Sequence, residues 1–502
     1  MMADGGMVEI RGARSLRPRW AAVSFVVSLL AVGIAWALSS PVGSSPDDDF
    51  HLPSIWCAPT APNDLCRDLG PSSRDGFRRV EVSASLGPDV ACYRYQMFES
   101  AGCQKLGSTD VIETTANDDL YPGGYYFLMG AFAREGVAQS VVLMRLINFA
   151  LCAALLVASA LLAPARIRRS AAVALVVTSV PMTLFLYSST NPSGVVIAST
   201  SAVWMMLHVL LVPAERRTRA MQVGLLVVAA VLALTSRSDA GVFLVIAAVA
   251  VAFSQPRERL KEIASHRVIM ILMAASAVFI AMALISRFPD AGIGIGMQKA
   301  DYDRSLGEVF FYNFINLPLM WTGGLGGQGL GWLDTPIPHI VTFVAVPLVV
   351  VAIALGYRDA STGGRRSVAW TLGMLAVVPF YVMAIDRSLV GEIFQARYLL
   401  PLLPIAVMCA LESTRFSRGE VSLRSASTVA VVALSIAHAA ALLANMRRYV
   451  TGVEVRVLDL DSNREWWWPW GPSANVVLLI GTVGFAVAAW QITRWLETRG
   501  SG

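Results

Sequence analysis

The chain has 502 residues, 55% of them hydrophobic and 15% charged, with a mean hydropathy of +0.58. A soluble domain of this size cannot bury so much apolar surface, which excludes a cytosolic enzyme, a nucleic-acid binder and a disordered scaffold. Forty basic residues stand against thirty-five acidic ones, a net charge of +5, so where the charges sit says more than their sum.

A bilayer core of roughly 30 Å takes about 20 apolar residues per helix. Apolar runs fall at 20–38, 138–163, 171–187, 194–213, 220–235, 240–254, 268–286, 338–356, 368–385, 397–411, 425–443 and 474–493. They predict an all-α polytopic membrane protein with about 12 transmembrane helices. Arg11, Arg14, Arg17 and Arg19 precede the first run, and Ala35-Trp36-Ala37 fits a cleavage pattern. The run is longer than the roughly 7–15 residues of a signal-peptide core, so it reads as an uncleaved anchor.

With the N-terminus in the cytoplasm, strict alternation makes every short inner loop basic, as the positive-inside rule requires. These loops carry Arg166, Arg168 and Arg169; Arg216, Arg217 and Arg219; Arg257, Arg259, Lys261 and Arg267; Arg358, Arg365 and Arg366; Arg415, Arg418 and Arg424; and finally Arg494 and Arg499. Both termini then lie inside. Only Lys105, Lys261 and Lys299 are lysines. That arginine bias, with abundant alanine, points to a GC-rich bacterial genome; the expected location is the bacterial inner (plasma) membrane.

Three segments are expected outside: 39–137, 287–337 and 444–473. The first opens with Pro46-Asp47-Asp48-Asp49-Phe50-His51. Adjacent carboxylates raise one another's proton affinity unless a cation is near. Asp47, Asp48, Asp49 and His51 therefore suit a general base, and the three aspartates a divalent metal, Mg or Mn. The bland alternative is a solvated juxtamembrane stretch. Cys57, Cys66, Cys92 and Cys103 lie in this segment, and an even number in an oxidising compartment predicts two disulfides of open connectivity, with zinc as the competing reading. Residues 119–137, with Tyr121, Tyr125, Tyr126, Phe127 and Phe132, read as an amphipathic helix on the outer leaflet.

Further along, Arg145 sits inside a span and should face the bundle interior. The turns at 188–194 and 236–239 are short and polar. Arg237 and its neighbours are expected below the outer surface, against protein or a wet cavity. Arg397 and Tyr398 open the tenth run, where an arginine can hold a phosphate in a bidentate fork. The Trp466-Trp467-Trp468-Pro469-Trp470 string reads as an aromatic belt.

Four blocks in this order resemble one bacterial family. They are Pro46-Asp47-Asp48 followed by His51; Ser189, Asn191-Pro192 and Gly194; Asn316-Leu317-Pro318 with Gly329 to Asp334 and Pro336; and Arg397-Tyr398-Leu399-Leu400-Pro401. The ordered set resembles the membrane-protein family called domain of unknown function 2142. The chain has Asp48 where that pattern has glutamate, and Ser193 where it has aspartate.

That family is similar to the GT-C glycosyltransferases. The resemblance implies a GT-C-like fold with short amphipathic helices in the first outer loop. It also implies a polyprenyl-phosphate-linked sugar donor, a cell-envelope glycan or lipid acceptor, and contact with membrane lipids. In that frame Asp47 or Asp48 is the base, and the neighbouring acids and His51 orient it or hold a metal. Arg397, then Arg237 or Arg387, with Tyr398 and Asn191, hold the donor phosphate. The alternatives are a lipid-linked polysaccharide polymerase or ligase, a 12-helix transporter, and a non-catalytic assembly subunit of the same fold.

Overall fold

The computed structural model describes residues 17–256, 258–259, 303–415 and 424–498. The expected span at 268–286 and the charges at Arg257, Lys261, Arg267 and Arg418 lie outside these residues. The helices are α1 (Arg17–Leu38), α2 (Asp48–Trp56), α3 (Gly124–Gly130), α4 (Val137–Leu162), α5 (Ala165–Val177), α6 (Pro181–Tyr187), α7 (Ser193–Leu210), α8 (Arg216–Ser236) and α9 (Ala240–Ser254). After them come α10 (Leu306–Thr322), α11 (Ile340–Asp359), α12 (Thr362–Asp386), α13 (Leu403–Leu411), α14 (Arg424–Val450) and α15 (Ala474–Thr498).

Among the described residues, eight helices are long and apolar enough to cross a membrane, or nine if the bent pair α5 and α6 is one span. The protein is therefore a multi-pass membrane protein. Helices are what such sequences must form, because hydrocarbon offers backbone groups no partner. The run at 171–187 is not straight: α5 and α6 meet at 100°, at the break before Pro181. The runs at 240–254 and 397–411 form shorter apolar helices.

Helix α7 is the axis of the bundle. All its residues are buried, between α4, α8 and α9. Ser199, Thr200 and Ser201 let neighbours approach closely, the usual device where lipid supplies no hydrophobic drive between helices. Helices α1 and α15 use glycine the same way. A Cβ on Gly481 would stand 2.5 Å from Ala35 Cβ, and one on Gly484 2.9 Å from Ala31 Cβ.

Between α1 and α4 the chain builds more than helices. Strands β1 (Cys66–Pro71), β2 (Phe77–Ser83) and β3 (Val111–Asn117) form an antiparallel sheet in the order β1-β2-β3. The expectation of an all-α protein is corrected at this point. Val80 and Val82 on β2 turn inward while Arg79 and Glu81 alternate outward, the period-two pattern of a half-buried strand. Disulfides join Cys57 to Cys66 and Cys92 to Cys103. The expected amphipathic helix at 119–137 is also corrected. Only the short α3 forms there, with Tyr125, Tyr126 and Met129 packed against the protein and Phe127 exposed.

The stretch 306–335, within the expected outer segment 287–337, begins with α10, which packs one face along α12 and leaves Phe310, Phe311 and Phe314 exposed. Asn313 Nδ2 donates to Ser388 O (3.0 Å), and Trp321 Nε1 donates to Leu375 O (3.1 Å). The chain reverses at Gly323–Gly327, where Gly326 adopts φ 110°. It returns beside residues 395–400, with Ala396 N–H donating to Gln328 Oε1 (3.1 Å). The tryptophan string divides as well. Trp466 and Trp468 are buried, and Trp468 Nε1 caps the end of α1 at Leu38 O (2.8 Å). Trp470 stays exposed.

Candidate functional site

Three tight turns and the start of α2 meet at the end of the bundle that carries the disulfides. Asp47 precedes α2 with φ 61°, a left-handed backbone that aspartate tolerates better than most residues. Its side chain is 45% exposed, and Oδ2 lies 2.8 Å from Arg397 Nη2, whose own side chain is 2% exposed. The same Arg397 Nη2 reaches the Tyr398 hydroxyl at 3.3 Å. Arg397 Nε is buried without a hydrogen-bond partner.

Arg237 completes the cationic floor. Its guanidinium carbon stands 5.2 Å from the Tyr398 ring centroid, and that of Arg397 stands 5.1 Å from the same ring. Both distances suit a cation–π contact. Asp239 holds Arg237 in a fork, Oδ1 to Nε at 2.9 Å and Oδ2 to Nη2 at 2.7 Å. Arg237 Nη1 also donates to Ser193 Oγ (2.9 Å). The turn that was expected below the surface is thus buried against protein.

The three aspartates part company. Asp48 is fully buried; it accepts from Ser45 N–H (3.0 Å) and from the Thr190 hydroxyl (2.7 Å). Burial raises its pKa to about 6, against the opposing charge of Arg145 and those two hydrogen bonds. Asp49 pairs with Arg94 at 2.8 Å, and burial raises its pKa too. Asp48 is therefore a tie between two turns, and Asp47 offers an accessible carboxylate beside Arg397. Among the described residues no three His, Cys, Asp or Glu side chains gather as a metal-binding group. The expected Asp47–Asp48–Asp49 metal site does not fit this geometry, because each carboxylate faces a different partner.

His51 is buried, with Nδ1 2.8 Å from the Tyr126 hydroxyl. Burial lowers its pKa to about 4; Arg237 and Arg397 add to the effect and Asp47 opposes it. His51 is neutral at pH 7 and orients its surroundings. Asn191 is buried, and its side chain is taken up by the neighbouring backbone. Its Nδ2 donates to Pro46 O (2.9 Å), and its Oδ1 accepts from Ser193 N–H (2.9 Å). It locks the turn before α7 to the segment that carries Asp47. Arg387 is brought to a different place, where Nη1 donates to Arg304 O (3.0 Å).

The first and fourth sequence blocks thus meet as an ion pair, and the second supports them through Asn191 and Ser193. Residues 30–406 match a family described as predicted membrane proteins, DUF2142. The chain belongs to the DUF2142 family. No curated protein and no solved structure matches it.

Sequence reasoning about this DUF2142 chain missed three partners: Asp239 for Arg237, Tyr126 for His51 and Arg94 for Asp49. Only the first left a signal, an acid two residues from an arginine inside an otherwise apolar stretch. Arg145 does face the interior as expected. It donates to Ala37 O (3.2 Å), Pro41 O (2.6 Å) and Ser44 Oγ (3.1 Å), and so shapes the bend that leads to Asp47.

Proposed function

We propose that this DUF2142 chain is an integral membrane glycosyltransferase of GT-C-like architecture. It moves a sugar from a polyprenyl-phosphate donor to an extracytoplasmic glycan or lipid acceptor of the bacterial envelope. The proposal includes twelve crossings, cytoplasmic termini and residence in the inner membrane. Two observations support that orientation. Both disulfides sit at the Asp47 end, and disulfides persist in oxidising compartments. The opposite helix ends carry Arg166, Arg216 and Arg358, as the positive-inside rule expects of a cytoplasmic side.

The observation that carries the chemical reading is the Asp47–Arg397 contact, with Arg397 Nε left unpartnered. A buried guanidinium with a free edge suits a phosphate oxygen. Asp47 takes the proton of an acceptor hydroxyl, whose oxygen then bonds to the anomeric carbon. The bond from that carbon to the phosphate oxygen breaks, and its electron pair leaves on the phosphate. Arg397 and Arg237 stabilise that developing charge. A single displacement inverts the anomeric centre.

The test is made on the full-length protein in vesicles with a radiolabelled polyprenyl-phosphate sugar. Transfer should release free polyprenyl phosphate, and Asp47→Asn should abolish the release while leaving folding intact. Equal release by Asp47→Asn, or none by the wild type with any donor, would remove the reading.

A further inference from the structure

Contiguous with Asp47 lies a group of side chains that the transfer step leaves unused. Tyr95 is 69% exposed yet adopts φ 61°. A left-handed backbone strains a residue with a side chain, and here that strain brings the ring no burial. The conformation is held from below. Tyr95 N–H donates to Asp334 Oδ2 (2.9 Å), and the same oxygen accepts from the buried Arg448 Nη2 (3.1 Å). Arg448 also donates to Tyr93 O (2.7 Å) and Glu99 O (2.6 Å), one on each side of Tyr95 in the chain. The Cys92–Cys103 disulfide closes the same loop.

Beside Tyr95 stands Trp332, edge to face at 6.1 Å between centroids. Its Nε1 donates to Gly43 O (2.9 Å), which fastens the indole to the segment that carries Asp47. The Arg94 guanidinium lies 4.7 Å from the Trp332 ring and 5.6 Å from the Tyr95 ring. It also holds Asp49 at 2.8 Å. The two rings meet at 68° as an aromatic corner, with the Arg94 guanidinium over the indole and the Asp49 carboxylate beside it.

A sugar ring has a face of C–H groups and an edge of hydroxyls. The negative face of an aromatic ring attracts the polarised C–H face, and an arginine–carboxylate pair donates to and accepts from hydroxyls at once. A phosphate would meet the charges of Asp47 and Asp49 here, so a neutral glycan fits better. We propose that Tyr95, Trp332, Arg94 and Asp49 form a glycan-binding platform that presents an acceptor hydroxyl to Asp47. This rests on the transferase reading for its purpose, but binding itself is separable from transfer.

The experiment uses the full-length protein in nanodiscs, because a detergent with a sugar headgroup would compete. The probes are neutral oligosaccharides of glucose, galactose, arabinose and N-acetylglucosamine, followed by saturation-transfer NMR and calorimetry. Tyr95→Gly removes the ring and relaxes the φ 61° backbone, so it should fold at least as well as the wild type. At least one probe should bind, Tyr95→Gly should weaken it about tenfold or more, and Tyr95→Phe should bind within about twofold of the wild type. Asp47→Asn should keep the binding and lose transfer. If no probe binds the wild type, or Tyr95→Gly binds as well, the platform is wrong. If binding follows Tyr95 but no transfer is ever seen, the platform stands and the transferase reading falls.

Discussion

Asp47 Oδ2 and Arg397 Nη2 lie 2.8 Å apart although 350 residues separate them in the chain. The partners differ in exposure, with the carboxylate open and the guanidinium enclosed. An anion that reaches Arg397 therefore competes with Asp47 and frees it as it binds. Asp47→Asn should bind polyprenyl phosphate more tightly than the wild type while losing transfer. Arg397→Lys keeps the charge but not the fork, and its transfer rate should fall on the order of 10²–10³. Binding and single-turnover rates measured on the same preparations check both outcomes. Unchanged affinity in Asp47→Asn would mean that the carboxylate does not guard the arginine.

The pH dependence of stability should hide two opposing slopes. Asp48 has its pKa raised by burial to about 6, so the folded state holds its proton more tightly than the unfolded state does. Its contribution is lost as pH rises from about 4 to about 6. His51 has its pKa lowered by burial to about 4, so the unfolded state takes up its proton first. Its contribution is lost as pH falls from about 6.5 to about 4. Each group is worth on the order of 3 kcal/mol across its window. Thermal unfolding of Asp48→Asn between pH 4 and 7 should therefore rise more steeply with pH than the wild type. His51→Gln should show the reverse slope. Parallel curves for all three proteins would contradict the burial of both groups.

Much of the bundle was legible because a helix in lipid needs only a long apolar run, and every described run became helix. The count of crossings was less legible, since α6, α9 and α13 are short and their depth depends on neighbours. The sheet was missed because β2 and β3 are brief and lie among glycines and charges, although Val80 and Val82 do alternate with Arg79 and Glu81. Helix α10 was not legible because Asn313, Asn316 and Pro318 interrupt its apolar pattern. Asn313 is satisfied by Ser388 O and Val390 N–H, a tertiary fact with no local trace. In the site, residue type pointed to Asp47, Arg237 and Arg397. It could not separate Asp47 from Asp48, because the difference lies in Thr190 and Ser45, which bury one carboxylate and not the other. Arg387, ranked behind Arg397 with Arg237, is held elsewhere by Arg304 O, a contact with no local trace.

The two disulfides should be found in protein purified without reductant. Peptide mapping should join Cys57 to Cys66 and Cys92 to Cys103, and leave Cys152 and Cys409 as buried thiols. Closing a short loop stabilises by about 2–4 kcal/mol. Cys92→Ala with Cys103→Ala should lower the unfolding midpoint and loosen the Tyr93–Tyr95 turn. Hydrogen exchange at residues 93–99 reads that loosening, and unchanged protection would show that Asp334 and Arg448 hold the turn without the disulfide.

Asp239 tests how the cationic floor is built. Arg237 is buried and takes two of its three side-chain bonds from this one carboxylate, the third from Ser193. Removing one partner of a buried ion pair leaves an uncompensated charge, which costs about 3–5 kcal/mol. Asp239→Asn should destabilise the protein by that order in a denaturant titration of the reconstituted chain. Arg237→Gln together with Asp239→Asn removes both charges, and should recover most of the loss. Transfer should not recover in the double variant, because the leaving phosphate still lacks its second arginine. A double variant that regains stability and turnover together would assign Arg237 to architecture alone and leave Arg397 as the sole cation for the phosphate.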